Sequence, residues 1–314
     1  MICMMTAKPV AQVLLGITVL VWSCTCRHSL EKDISESVIL NGIKLNYHIE
    51  GQGIPCIVYG FPRLYQRAFS KNLRDHIRFI FAETRMCVPT DTMIDWKKVT
   101  LDALVDEIDQ IREALHLRTI LIFGHSSFGI IAAEYARKYP DHTAGVIMSG
   151  TEPCTPKNAA ELYAKFWDST ASEERKRIYA DKWKNNPIDK FKDLPPSERF
   201  IKRLINEGPK EFYDARFDCS TLFEGCTWNF DGINQYFGAI LPGYDMTNGR
   251  TIKTPIFLAS GKYDYYCLPY TLWDERVGQF PDFTQVVFEK SGHYPMYEEP
   301  STFDKSLLDW LKKH

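Results

Sequence analysis

The chain has 314 residues, enough for one large α/β domain with an inserted subdomain. Apolar residues make up 45% and charged residues 25%, which excludes a disordered or fibrous chain. A formal net charge of −2 removes the electrostatic case for binding nucleic acid, and the chain shows no internal repeat or low-complexity tract.

Residues 1–24 do not read as part of the fold. Lys8 precedes an apolar run from Val10 to Trp22, broken only by Gln12, Gly16 and Thr18. The run is too short to span a bilayer comfortably and reads as the apolar region of a secretory signal. Leu20-Val21-Trp22-Ser23-Cys24 then resembles a bacterial lipoprotein cleavage box, with Trp22 where a small residue is usual. The expectation is an exported protein, either periplasmic or anchored to a membrane through acyl chains on Cys24. An ordinary cleaved signal and an uncleaved anchor are the alternatives.

The mature chain opens with SVILNGIKLNYHIE (37–50). Asn41-Gly42 between two β-rich runs predicts a tight hairpin, and the alternation of Ile43, Leu45, Tyr47 and Ile49 predicts one buried face. IPCIVYG (54–60) and RFIFAE (78–83) are continuous apolar runs, expected of strands covered on both faces. Leu101, Leu104, Val105, Ile108, Ile111 and Leu115 form one helical stripe over 100–115. A strand ending at Gly124, a helix to Tyr139 and the strand AGVIMSG (144–150) follow.

This alternation predicts an α/β fold with a mostly parallel sheet and helices on both faces. The first part of the core covers residues 30–152. Residues 153–250 are helical, aromatic and charged in character, with Pro195-Pro196 and Gly208-Pro209 as expected breaks, and read as an inserted helical cap. Residues 251–314 complete the core with strands PIFLAS (255–260) and TQVVFEK (284–290) and a last helix carrying Phe303, Leu307, Leu308 and Leu311.

The nine cysteines show no zinc-type spacing. Cys219 and Cys226 are near enough in sequence to pair, although free buried thiols are the plainer reading. The eight histidines are scattered, and no GxxxxGK[ST] or GxGxxG run occurs, so no metal or nucleotide cofactor is expected.

The chemistry centres on TILIFGHSSFG (119–129), a β-rich run followed by a serine and a helix-like segment. A turn of that kind lifts the Ser126 hydroxyl out of a sheet and aims helix N–H groups at it. A serine alcohol near neutral pH needs a base, and the base needs an orienting partner. Asp264 follows the strand IFLAS, and His293 follows the next strand, in FEKSGHYPMYEEP. Loops at the carboxyl ends of parallel strands share one rim of the sheet. Ser126 alone would read as a helix N-cap, Asp264 as a turn residue and His293 as a loop histidine. Asp245 and Asp231 are rival acids.

GHSSFG, GKYD and SGHYPMYEEP together resemble the α/β-hydrolase superfamily, in its capped group of proline iminopeptidase-like enzymes and carboxylesterases. The resemblance covers residues 38–314, with 153–250 matched in position and character only. It implies Ser126 as nucleophile, His293 as general base and then acid, and Asp264 as its orienter. It also implies an oxyanion hole from the backbone N–H groups of Ser127 and Phe61, each such donor contributing roughly 100- to 1,000-fold in turnover.

Three departures stand out. Phe128 occupies a position where the superfamily favours a small residue, with Gly129 one place later; reading Ser127 as the nucleophile would correct that offset but misplace His125. Tyr59-Gly60 replaces the usual His-Gly before the oxyanion residue. Phe61-Pro62-Arg63 lacks the glycine-rich run usual in proline iminopeptidases.

These features predict an exported serine hydrolase of a small-molecule or short peptide substrate, carboxylesterase-like. A proline iminopeptidase-like aminopeptidase and a non-catalytic ligand-binding fold are the alternatives. An aminopeptidase needs a buried acid for the substrate ammonium, and Glu207, Glu211, Asp214, Asp218 and Glu224 are sources with no spacing to choose among them. Many cap aromatics, Trp167, Phe223, Trp228 and Tyr236 among them, are expected to pack the cap itself. Glu298 and Glu299 are expected to be solvated or to cap the last helix, and Arg85 to form a structural ion pair. With His293 as base, activity should fall as it protonates near its reference pKa of about 6.5.

Overall fold

The computed structural model describes residues 36–89 and 92–314. The expected signal segment and Cys24 therefore lie outside the described residues. No helix among the described residues is long and apolar enough to cross a membrane.

In chain order, β1 (Glu36–Leu40) and β2 (Ile43–Glu50) form the hairpin at Asn41-Gly42, whose φ values of 51° and 80° are those a two-residue turn of this kind requires. Ile43, Leu45 and Tyr47 face the core as the alternation predicts, but Ile49 is 42% exposed. β3 (Ile54–Gly60), the short α1 (Pro62–Ala68), β4 (Ile77–Glu83), α2 (Leu101–Ala114), β5 (Ile120–His125), α3 (Phe128–Lys138) and β6 (Thr143–Ser149) follow.

Between β6 and the next strand of the main sheet lies the insertion. It enters through β7 (Cys154–Thr155), carries α4 (Ala159–Thr170), α5 (Glu173–Asn185), α6 (Pro196–Glu211) and α7 (Phe230–Gln235), and leaves through β8 (Tyr244–Asp245). β7 and β8 pair antiparallel. The core resumes with β9 (Ile256–Gly261) and β10 (Phe283–Phe288), and ends with α8 (Pro295–Glu298) and α9 (Pro300–Leu311).

The main sheet has the order β1-β2-β4-β3-β5-β6-β9-β10. β2 runs antiparallel to β1 and β4, and the remaining pairs are parallel. Every residue of β5 and β9 is buried, as expected of central parallel strands covered on both faces. α2 and α3 pack together against β3, and α9 packs against β9 and β10.

One expected break is not a break. Gly208-Pro209 lies inside the last turn of α6. Proline cannot donate to the carbonyl four residues earlier, which is Ile205 here. The Cys219 thiol faces that carbonyl at 3.9 Å. Cys226 instead turns to the Leu222 carbonyl, so the pairing that the sequence allowed is not made, and all six described cysteines are free.

Candidate active site

Ser126 sits at the carboxyl end of β5 with φ +56°, left-handed backbone that a side chain normally avoids. Such strain costs on the order of 1–3 kcal/mol and persists only where the surroundings over-determine it. Here they do. Ser126 N–H donates to the Ser149 carbonyl at 2.8 Å, and its own carbonyl accepts from Gly129 N–H and from Thr151 Oγ1, both at 3.0 Å. Two glycines make room for the turn. A Cβ on Gly124 would lie 2.3 Å from the Phe128 carbonyl, and one on Gly129 would lie 2.0 Å from Thr151 Oγ1.

Phe128 does not crowd this turn. Its ring leaves the turn and fills a buried pocket, edge-on to Phe61 at 5.4 Å and stacked on Tyr236 at 5.9 Å. The need for small residues is met at 124 and 129 instead. Tyr236, from the cap, also donates its hydroxyl to the Ser127 carbonyl at 2.7 Å. Ser127 and Phe61 are the N-cap residues of α3 and α1, so two helix starts converge beside Ser126. Trp228 of the insertion stacks on Phe61, so it does more than pack the cap itself.

Tyr59 is anchored where a histidine was expected. Its hydroxyl donates to Glu107 at 2.6 Å, and Glu107 also accepts from Arg85 Nε at 2.7 Å. This trio, buried but for the partly exposed Arg85, ties the end of β3 to α2, and Arg85 is the structural ion-pair residue expected of it.

Asp264 and His293 meet past the ends of β9 and β10. His293 Nδ1 donates to Asp264 Oδ2 at 2.7 Å, and Asp264 Oδ1 accepts from the N–H groups of Tyr266 and Cys267. The rival acids lie elsewhere: Asp245 holds Thr247 and faces Arg276, and Asp231 is exposed on α7. Burial alone would lower the His293 pKa, but the charge and hydrogen bond of Asp264, with Glu211 and Glu152 behind it, hold it above the ordinary value. Ser126 joins this pair through shared neighbours. Gly150, one residue past β6, abuts the His293 ring, and its carbonyl accepts from the Cys267 thiol at 3.2 Å.

Several residues around the site were not singled out from sequence. His125 donates its Nε2–H to the His293 carbonyl at 2.8 Å, and burial beside His293 keeps it neutral, its pKa far below the ordinary value. Its one signal was its place directly before the serine. Glu152 accepts from Tyr163 of α4 at 2.6 Å and from Leu268 N–H at 3.1 Å, pinning the loop that carries Asp264. Glu298 and Glu299 are corrected. Glu299 takes the N-cap position of α9 as expected, but its side chain and that of Glu298 brace the His293 loop instead: Glu298 accepts from Gly292 N–H at 2.7 Å, and Glu299 from Lys290 N–H and Ser291 Oγ at 2.8 Å. Burial raises the Glu298 carboxyl to about 7.

Of the five cap acids, the structure singles out Glu211, the last residue of α6. It is 1% exposed, and neither carboxylate oxygen has a hydrogen-bond partner of good geometry, the Tyr294 hydroxyl being the donor that comes near. Its carbonyl accepts from His293 N–H. Burial pushes its pKa to about 8, against the attraction of His293.

Residues 53–300 match the family described as the alpha/beta hydrolase fold. The chain is 34% identical over 272 residues to the AB hydrolase superfamily protein YclE of Bacillus subtilis (strain 168), covering 86% of this chain and 96% of that one. It is 27% identical over 274 residues to a proline iminopeptidase of Heyndrickxia coagulans, covering 83% and 91%. Its fold is similar to that of a thermophilic esterase from Thermogutta terrifontis, with a TM-score of 0.64, 18% identity and coverage of 89% and 98%. With the family match spanning most of its length, the chain belongs to the α/β-hydrolase fold family and is a hydrolase with a serine at the turn after β5.

Proposed function

We propose that Ser126 attacks an acyl carbon, that His293 takes its proton and passes it to the leaving group, and that Asp264 fixes the ring so that Nε2 is the free base. Water activated by the same histidine then releases the acyl group. The N–H groups of Ser127 and Phe61 would receive the oxyanion.

The substrate we propose carries a free amine beside the scissile carbonyl, as at the N-terminus of a short peptide. The observation behind this is Glu211. A buried carboxyl with no well-formed hydrogen bond is costly unless something supplies a better partner. A substrate ammonium would do so next to His293. The proline iminopeptidase relative supports the same reading. The simpler carboxylesterase reading is favoured by the missing glycine-rich run at Phe61-Pro62-Arg63.

Turnover of proline-β-naphthylamide, its N-acetylated form and p-nitrophenyl acyl esters separates the two. Glu211→Gln should cut kcat/KM for the free amine at least ~30-fold, the low end for losing a buried charged partner, and leave the esters within about threefold. Equal loss on both, or no activity on the free amine, would return the esterase reading. The pH profile gives a second handle. Glu211 near 8 and a peptide amine near ~7.7–8.0 share one proton in the complex, so the free-amine rate should peak near pH 8 and fall on both sides.

We also propose export, on the apolar run Val10–Trp22 and Cys24. Labelling of the cells with a radioactive fatty acid tests the lipidation, and Cys24→Ala should abolish any incorporation.

A further inference from the structure

Beside the serine lies a cluster that the hydrolytic mechanism does not use as a unit. His293 Nδ1, the Cys267 thiol and an Asp264 carboxylate oxygen all lie within 4.8 Å of one another. The thiol is 3.8 Å from Nδ1, and Nδ1 is 2.7 Å from Asp264 Oδ2. In tetrahedral zinc, with bonds of about 2.0–2.3 Å, neighbouring ligand atoms stand roughly 3.3–3.6 Å apart. The sulfur thus stands close to the required separation from Nδ1, the carboxylate must draw back from Nδ1 by about half an ångström, and sulfur and carboxylate oxygen lie within 4.8 Å. A second observation points the same way. The Glu211 carboxyl is 1% exposed with no well-formed hydrogen bond on either oxygen, and its backbone carbonyl accepts from His293 N–H, so a further buried carboxyl stands beside the cluster.

We propose that a thiophilic divalent cation, zinc foremost, binds Asp264, Cys267 and His293 Nδ1 and switches the hydrolase off. The ion takes the Nδ1 lone pair, so the proton of neutral His293 moves to Nε2. The Cys267 thiol loses its proton to solvent, one per ion bound. Carboxylate and thiolate together cancel the charge of the ion, which suits a buried site. Nε2, now protonated, has no lone pair with which to accept a proton from Ser126. The orienting pair and the base are lost in one step, with no oxidation and no covalent change. Water or the Ser126 hydroxyl completes the coordination.

Cadmium supplies the direct readout, because its thiolate complexes absorb in the near ultraviolet. Titrating the full chain should develop this band, and zinc should compete it away with release of one proton. Fluorophosphonate labelling of the enzyme should fall in parallel and return with a chelator. In Cys267→Ala and Cys267→Ser, checked for folding by circular dichroism, one equivalent of the band should vanish. The zinc concentration that halves labelling should rise at least ~10-fold, a loss that even an outer-shell partner of a metal ligand can cause. Glu211→Gln keeps all three ligands and should keep the band. An unchanged band in a folded Cys267 variant, or full labelling of the wild type at saturating zinc, would overturn the proposal. The band requires no turnover, so failure of the free-amine assay would leave it standing.

Discussion

The two halves of the site resolve their difficulties in opposite ways. Around Ser126 the difficulty is steric: a left-handed serine between a strand and a helix. It is relieved locally, by two glycines, three hydrogen bonds and an aromatic ring turned away into a pocket. Around His293 the difficulty is electrostatic. Asp264, Glu152 and Glu211 crowd one histidine, and Glu211 has no well-formed hydrogen bond. Strain can be absorbed by packing, which every protein has. Buried charge needs a counter-charge, and here that counter-charge can come from a ligand. The serine side of the site thus settles its difficulty within the fold, while the histidine side keeps a buried carboxyl with no well-formed hydrogen bond.

Ser126→Ala tests the first half most severely. It should reduce kcat at least ~10,000-fold, about 5.5 kcal/mol of barrier, and abolish fluorophosphonate labelling, while Ser127→Ala keeps labelling. Glu211→Gln tests the second through stability. A carboxyl raised from 4.5 to about 8 in the folded state favours folding below its unfolded pKa, and that advantage is lost as pH rises through 8. The variant should therefore gain on the wild type between pH 5 and 9, by up to ~5 kcal/mol in chemical denaturation. A constant difference across that range would remove the electrostatic contrast. Phe128→Ala, a change toward the small residue the superfamily favours, should cost ~3–5 kcal/mol, because it empties the pocket between Phe61 and Tyr236. The smallest expected effect is on the acid limb of the ester pH profile. It should lie above 6.5 in the wild type, since His293 is raised, and move down in Glu152→Gln. A limb at or below 6.5 in the wild type would break the argument for His293.

Ser126, Asp264 and His293 stand out in the sequence because each lies within a few residues of a strand end, and strands announce themselves by composition. The hairpin was as plain, since Asn41-Gly42 has few other uses. What could not be read was burial. Glu211 is one of several acids on charged cap segments, and nothing nearby in sequence says that it ends beneath His293. Glu298 and Glu299 look like surface residues until the loop before them folds back onto their oxygens. Pro209 looked like a helix break because proline usually is one; the thiol ten residues later that faces the stranded carbonyl is a tertiary fact. Phe128 misled in the same way, since the steric requirement at the turn was real but was satisfied at neighbouring positions.

The β7–β8 ribbon fixes where the insertion begins and ends. Cys154 pairs with Asp245 and Thr155 with Tyr244, so residues 156–243 form a loop whose two ends are adjacent. Loop-closure entropy grows only slowly with length, so a loop of almost any size can hang from this clasp at similar cost to the sheet beneath it. Ser126, Asp264 and His293 lie on the sheet side of the clasp and Glu211 lies inside the loop, so a change of length between β7 and β8 leaves the sheet's own connections intact.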